Sequence, residues 1–206
     1  TLVLNNSGTV TNSASFRLDN ASSLLNMKTV AGGTLNKVST GANITGASKG
    51  VDIDVNSTIN TLTISHDCPV RIAATKELAG SVSIKAGELN LTETGKLTAN
   101  VEYTGDTTAK TCGIDVDASC TISGNLSVTG TSTLCVLEVA DGKTLTYEGN
   151  DFAVGTYTLQ VKGGTGSNPG IFNNSGNGDL TFSTGMLDVD ENFEIDGNIT
   201  ISDDAI

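Results

Sequence analysis

The 206-residue chain sets 23 acidic against 11 basic side chains, a net charge of −12. Such a surface repels phosphate backbones and anionic lipid, so nucleic acid and an acidic membrane are excluded as partners. No stretch is long and apolar enough to span a bilayer.

Aromatic residues make up 4%, Trp is absent, and 24 Gly stand beside 2 Pro. This predicts an interior of Val, Ile, Leu and Ala under a hydroxyl-rich surface, with Gly and Asn at the turns. Helical periodicity is missing: the best window, Asn36 to Lys49, holds no sustained i, i+3, i+4, i+7 stripe. The chain opens on Thr1, with no charged and apolar leader. It is expected to be the mature form of an exported protein.

In chain order, TLVL at the start predicts a strand, with Leu2 and Leu4 opposed to Val3. Residues 29 to 50 are rich in Gly, Thr, Ser, Asn and Ala and predict a lateral loop or weakly packed coils. A boundary near Gly50 divides an irregular segment, 1–50, suited to assembly, from a body at 51–206.

The body opens with Val51, Ile53 and Val55 on one strand face and Asp52 and Asp54 on the other. His66, Asp67 and Cys68 follow, where His66 reads as a turn residue. From Ser81, apolar residues alternate in very short runs between glycines: Val82 and Ile84, Leu89 and Leu91, Leu126 and Val128, Leu145 and Tyr147. The last runs are Leu187 with Val189, Phe193 with Ile195, and Ile199 with Ile201. The GGTGS stretch at Gly163 to Ser167 lacks the lysine of a phosphate loop and predicts a turn.

This pattern predicts an all-β protein. A β-solenoid, or parallel β-helix, fits best, because short strands, small turn residues, few aromatics and repetition coincide. A β-sandwich is the alternative. VDIDV at residue 51, IDVDA at 114 and LDVDE at 187 place Asp52, Asp115 and Asp188 63 and 73 residues apart. Those intervals are too long for one coil and fit three coils of about 20 to 25 residues.

The cadence of GELNLTETGKLT, GNLSVTG, ADGKTLTYEGN and DGNITIS, from Ser81 to Ile201, resembles parallel β-helix regions of bacterial surface proteins. Autotransporter passengers, filamentous adhesins and extracellular filament subunits are of this kind. The resemblance implies an exported structural or adhesive role and transfers no catalytic residue.

Neither end carries a visible cap. Leu2, Val3 and Leu4 at one end and Ile199 and Ile201 at the other are therefore candidate assembly residues, through which copies of the chain would stack. The expected function is a structural subunit of an extracellular filament or surface layer. A surface adhesin or carbohydrate-binding β-helix is the alternative, with a polysaccharide-active enzyme or an ice-binding array behind it.

Other candidates follow from residue type. Cys68, Cys112, Cys120 and Cys135 predict two disulfides outside the cytosol, in one of three pairings. Asp188, Asp190 and Asn192 partly imitate a calcium loop, although Phe193 stands where that loop needs glycine. Calcium is the one cofactor considered. Sequons begin at Asn5, Asn20, Asn43, Asn56, Asn90, Asn125, Asn173 and Asn198, so glycans are candidate partners.

Overall fold

The computed structural model describes residues 2–4, 10–28, 33–46, 48–105, 111–130, 134–190 and 192–201. The described residues form strands and turns without a helix, so none is present to cross a bilayer.

Each early pass of the chain lays down two strands. They are β1 (Leu2–Leu4) with β2 (Val10–Leu18), β3 (Leu24–Met27) with β4 (Gly33–Thr40), β5 (Gly50–Ile53) with β6 (Ser57–Ile64), and β7 (Cys68–Ile72) with β8 (Glu77–Ile84). Later passes lay down three. They are β9 (Gly87–Leu91), β10 (Lys96–Leu97) and β11 (Asn100–Tyr103), then β12 (Cys112–Val116), β13 (Cys120–Ile122) and β14 (Leu126–Val128). Next come β15 (Cys135–Val139), β16 (Thr144–Tyr147) and β17 (Phe152–Gly155), then β18 (Thr158–Gly163), β19 (Gly170–Asn173) and β20 (Leu180–Phe182). The last coil holds β21 (Met186–Asp190), β22 (Phe193–Asp196) and β23 (Ile199–Ile201).

The first strand of every pass joins one nine-stranded sheet, in the order β1-β3-β5-β7-β9-β12-β15-β18-β21. The remaining strands form a second sheet of fourteen. The described ladders are parallel. Parallel neighbours need a long return path, here the rest of the coil. The fold is thus a parallel β-solenoid, and the sandwich alternative, built on antiparallel hairpins, is set aside.

The change from two strands to three falls at a register irregularity. The β6–β8 ladder shifts register between Ile59 and Leu62, opposite Gly80. Gly80 has φ +116°, and a Cβ there would lie 1.8 Å from the Ile59 carbonyl oxygen. Only glycine tolerates both conditions. The bulge puts its extra residue on β6, and β8 pairs with β10 before the irregularity and with β11 after it. One pass later the irregularity has become a break between two strands.

Inside, alternate residues stack in columns. Val51, Val70, Leu91, Val116 and Val139 follow one another in register and are buried. The interior is not purely aliphatic, as composition predicts. Tyr103 stacks on Phe152 with centroids 6.2 Å apart, and Tyr147 on Phe172 at 5.8 Å. The scarce aromatics are concentrated in the three-strand part. The Tyr103 hydroxyl donates to the Val136 carbonyl at 3.0 Å. That of Tyr147 donates to the Asn150 carbonyl at 2.6 Å and accepts from the Leu126 N–H. Both polar tips are thereby satisfied in the core.

Asparagine works at the corners. The Asn125 N–H donates to Asn100 Oδ1 at 2.9 Å, and the Asn150 N–H to Asn125 Oδ1 at 3.0 Å. Each side chain holds the backbone of the next coil where the strand ladder is interrupted.

Within residues 29 to 50, the described residues 33–46 and 48–50 are more regular than composition suggests. They contain β4, whose Leu35 and Val38 are buried, and Ile44 tucks into the same core. The ladders β3–β5 and β4–β6 run across Gly50.

Candidate functional site

The spacing of the three aspartate motifs is met: three ladder steps separate β5 from β12, and three separate β12 from β21. The motifs are nevertheless out of register. Val51 stands in the column of Val116, not of Ile114. Ile114 leads to Val189, not to Leu187. Each copy has slipped by two residues, which keeps the inward face inward and moves the aspartates to a different column.

Those columns make up the outer face of the nine-stranded sheet. Asp52 lies between Asn26, which donates to it at 2.6 Å, and Arg71, 3.6 Å away. Asp115 lies between Asn90 and Glu138. Asn90 Nδ2 donates to it at 2.9 Å, while Glu138 turns to Lys162 at 2.7 Å. Burial, then the charges of Asp117, Glu138 and Glu88, push the Asp115 carboxyl up to about 7, against the hydrogen bond from Asn90. Glu88 is raised as well, by burial and then by Asp67 and Glu138.

The predicted metal ligands form a row. Asp188 and Asp190 point outward from β21, and Asn192 lies beyond the strand, donating to the Gly166 carbonyl at 3.1 Å. Among the described residues no group of three or more His, Cys, Asp or Glu is arranged to hold a metal ion.

The four cysteines form no disulfide, contrary to the two expected from an even count, and all four point into the core. Cys68 and Cys120 belong to different sheets and to coils that are not neighbours, and burial pushes both thiols up to about 12. Cys112 and Cys135 are in-register neighbours with sulfurs 4.0 Å apart. The count gave parity but not inward direction; alternation with Ile114 and Val116 was the signal for the latter.

His66 sits in the bend after β6, its N–H bonded to Thr40 Oγ1 at 3.1 Å. The raised, inward thiol of Cys68 gives it no nucleophile to activate.

The sequons divide by position. Asn20, Asn43, Asn56, Asn125 and Asn198 are exposed outside the strands. Asn90 is in mid-strand with its amide engaged by Asp115. Asn173 ends β19 and donates to Asp196 at 3.1 Å. Asn5 lies outside the described residues.

The candidate assembly residues occupy the two ends. β1, with Leu2 half-buried and Val3 exposed, is one edge of the nine-stranded sheet and β21 is the other. The side chain of Leu4 lies outside the described residues. A cavity of about 180 Å³ opens in the first coils, lined by Leu2, Phe16, Leu18, Leu24 and Leu25 among others.

At the other end, inward columns meet water. Val161 is 1% exposed and Val189, next in its column, is 57%. Leu180 is 1% and Ile199 is 39%; Phe182 is 4% and Ile201 is 59%. The same inward residues that build the core elsewhere form an open apolar edge on the last coil. Sequence pattern singled out Ile199 and Ile201 but missed Val189, whose exposure depends on strand order.

No protein-family model, no curated protein and no solved structure matches the chain.

Proposed function

We propose that this chain is a structural subunit of an extracellular filament or surface layer, which assembles with copies of itself by stacking end on end. The jump in exposure from Val161 to Val189, and from Phe182 to Ile201, carries the reading. Side chains of core type stand on an edge strand whose backbone groups face outward on one side. Fully burying such a side chain is worth about 1.5–3 kcal/mol, and partial cover already present lowers the remaining gain. Among the described strands, the ladders present one edge at the first coil and another at the last, on which a second copy can continue both. That contact is heterologous and does not close. The activity is mechanical: the chain supplies length and surface, not turnover.

Negative-stain electron microscopy and sedimentation of the purified protein at rising concentration test the proposal. Rods that lengthen with concentration are expected. The double variant Val189→Asp/Ile201→Asp should remain single particles with an unchanged far-ultraviolet spectrum. Compact single particles of the wild type at every concentration would show that the ends do not join.

A further inference from the structure

Charge is distributed unevenly along the solenoid axis. Residues 1–50 carry four cations (Arg17, Lys28, Lys37, Lys49) against one anion, Asp19. Residues 151–206 carry one cation, Lys162, against nine anions. Because coils stack in chain order, this sequence gradient becomes a gradient in space among the described residues, where Asp151, Asp179, Asp188, Asp190, Glu194 and Asp196 stand against Lys162. Arg17 and Lys37 are exposed on β2 and β4, the first two strands of the second sheet at the first end, with Arg17 paired to Asp19. Asp188, Asp190, Glu194 and Asp196 are exposed on β21 and β22, the outermost strands at the last end.

We propose that the contact between copies is polar: the acidic last coil of one copy seats on the basic first coils of the next. This inference rests on the stacking reading above and adds its direction. Two last coils brought together would set carboxylates against carboxylates around the apolar edge. Two first coils would bring together two surfaces with a net excess of cations, since Asp19 offsets only Arg17. Only the head-to-tail arrangement places opposite charges together, and electrostatic complementarity of this kind fixes orientation and suppresses wrong pairings. The apolar columns, including Val189 and Ile201, supply adhesion; the charges select which end they adhere to. Leu2, Phe16 and Leu18 around the cavity of the first coils offer the apolar counterpart.

Two charge-reversed variants test the direction. One carries Asp188→Lys, Asp190→Lys, Glu194→Lys and Asp196→Lys; the other carries Arg17→Glu and Lys37→Glu. For the wild type, raising NaCl from about 0.05 M to about 0.5 M should weaken association at least about tenfold, through screening of the facing ends. Each variant alone should associate at least about tenfold more weakly than the wild type in low salt. Mixed one to one, they should form rods again, because each reversed end now meets its opposite. That recovery also shows that both are folded. Rods whose association ignores salt, or unmixed variants that assemble like the wild type, would leave the stack standing and overturn its polarity. A wild type that forms no rods in low salt overturns both.

Discussion

At the residue scale, Asp115 shows what a solenoid does to charge. Its neighbours in the column are set by coil stacking, so Glu138 stands beside it although it is 23 residues away in sequence. The folded carboxyl holds its proton up to about pH 7, whereas the ordinary value is 3.8. The folded state therefore binds more protons between those limits. This contribution to stability is fully present below pH 3.8 and is lost as pH rises through 7. Each pKa unit corresponds to about 1.4 kcal/mol, and water at the sheet surface screens part of it. Asp115→Asn should thus raise stability at pH 8 by about 1–2 kcal/mol and leave pH 4 nearly unchanged. Urea midpoints at the two pH values measure this. An Asn variant with the wild-type slope between them would remove the account of Asp115. A pair such as Glu138 and Lys162, joined at 2.7 Å, relieves only part of the crowding.

At the element scale, β8 is the pivot. Its Gly80 permits a bulge that no side chain could accommodate, since a Cβ would enter the van der Waals shell of the Ile59 carbonyl oxygen. Gly80→Ala should destabilise the fold by on the order of 2 kcal/mol or more, through both the positive φ and the clash. Thermal unfolding measures the loss, and a wild-type midpoint would mean that the bulge does not need glycine. The individual strands were legible in the sequence. Leu89 with Leu91, Leu126 with Val128, and Leu180 with Phe182 alternate as strands must, with glycine or asparagine between the runs. The intervals of 63 and 73 residues also spoke for three coils apiece. The two-residue slip between copies was not legible, because register is decided by the neighbouring coil and not by the local pattern. For the same reason β4 was hidden among Thr, Ser and Gly: its Leu35 and Val38 straddle a register irregularity against β2 and break strict alternation.

At the scale of the whole molecule, contacts run almost entirely between adjacent coils, so stability is graded along the axis. The strands β7, β9 and β12 have partners on both sides, whereas β21, β22 and β23 have partners on one. Backbone amides of β21 to β23 should exchange with deuterium faster than those of β9 and β12 in dilute solution, and should slow when copies assemble. Hydrogen-exchange mass spectrometry reads both effects; uniform protection in the dilute protein would contradict a graded solenoid. The candidate site was half legible at this scale. Apolar runs near both ends were visible in the sequence, and so was the charge count, but the gradient has a direction in space only once the coils are known to stack in chain order.

The bulge opposite Gly80 reaches beyond the single molecule. The first coils meet the axis with one long strand, β2, where the last coil offers two short ones, β22 and β23. In the proposed stack, each joint would set one long strand against two short ones. In that stack, the nine described strands at about 4.8 Å would contribute a rise of about 43 Å per copy. A fibre so built would carry two rulers: a fine one from strand to strand, and a coarse one where a single long strand meets two short ones, once per molecule.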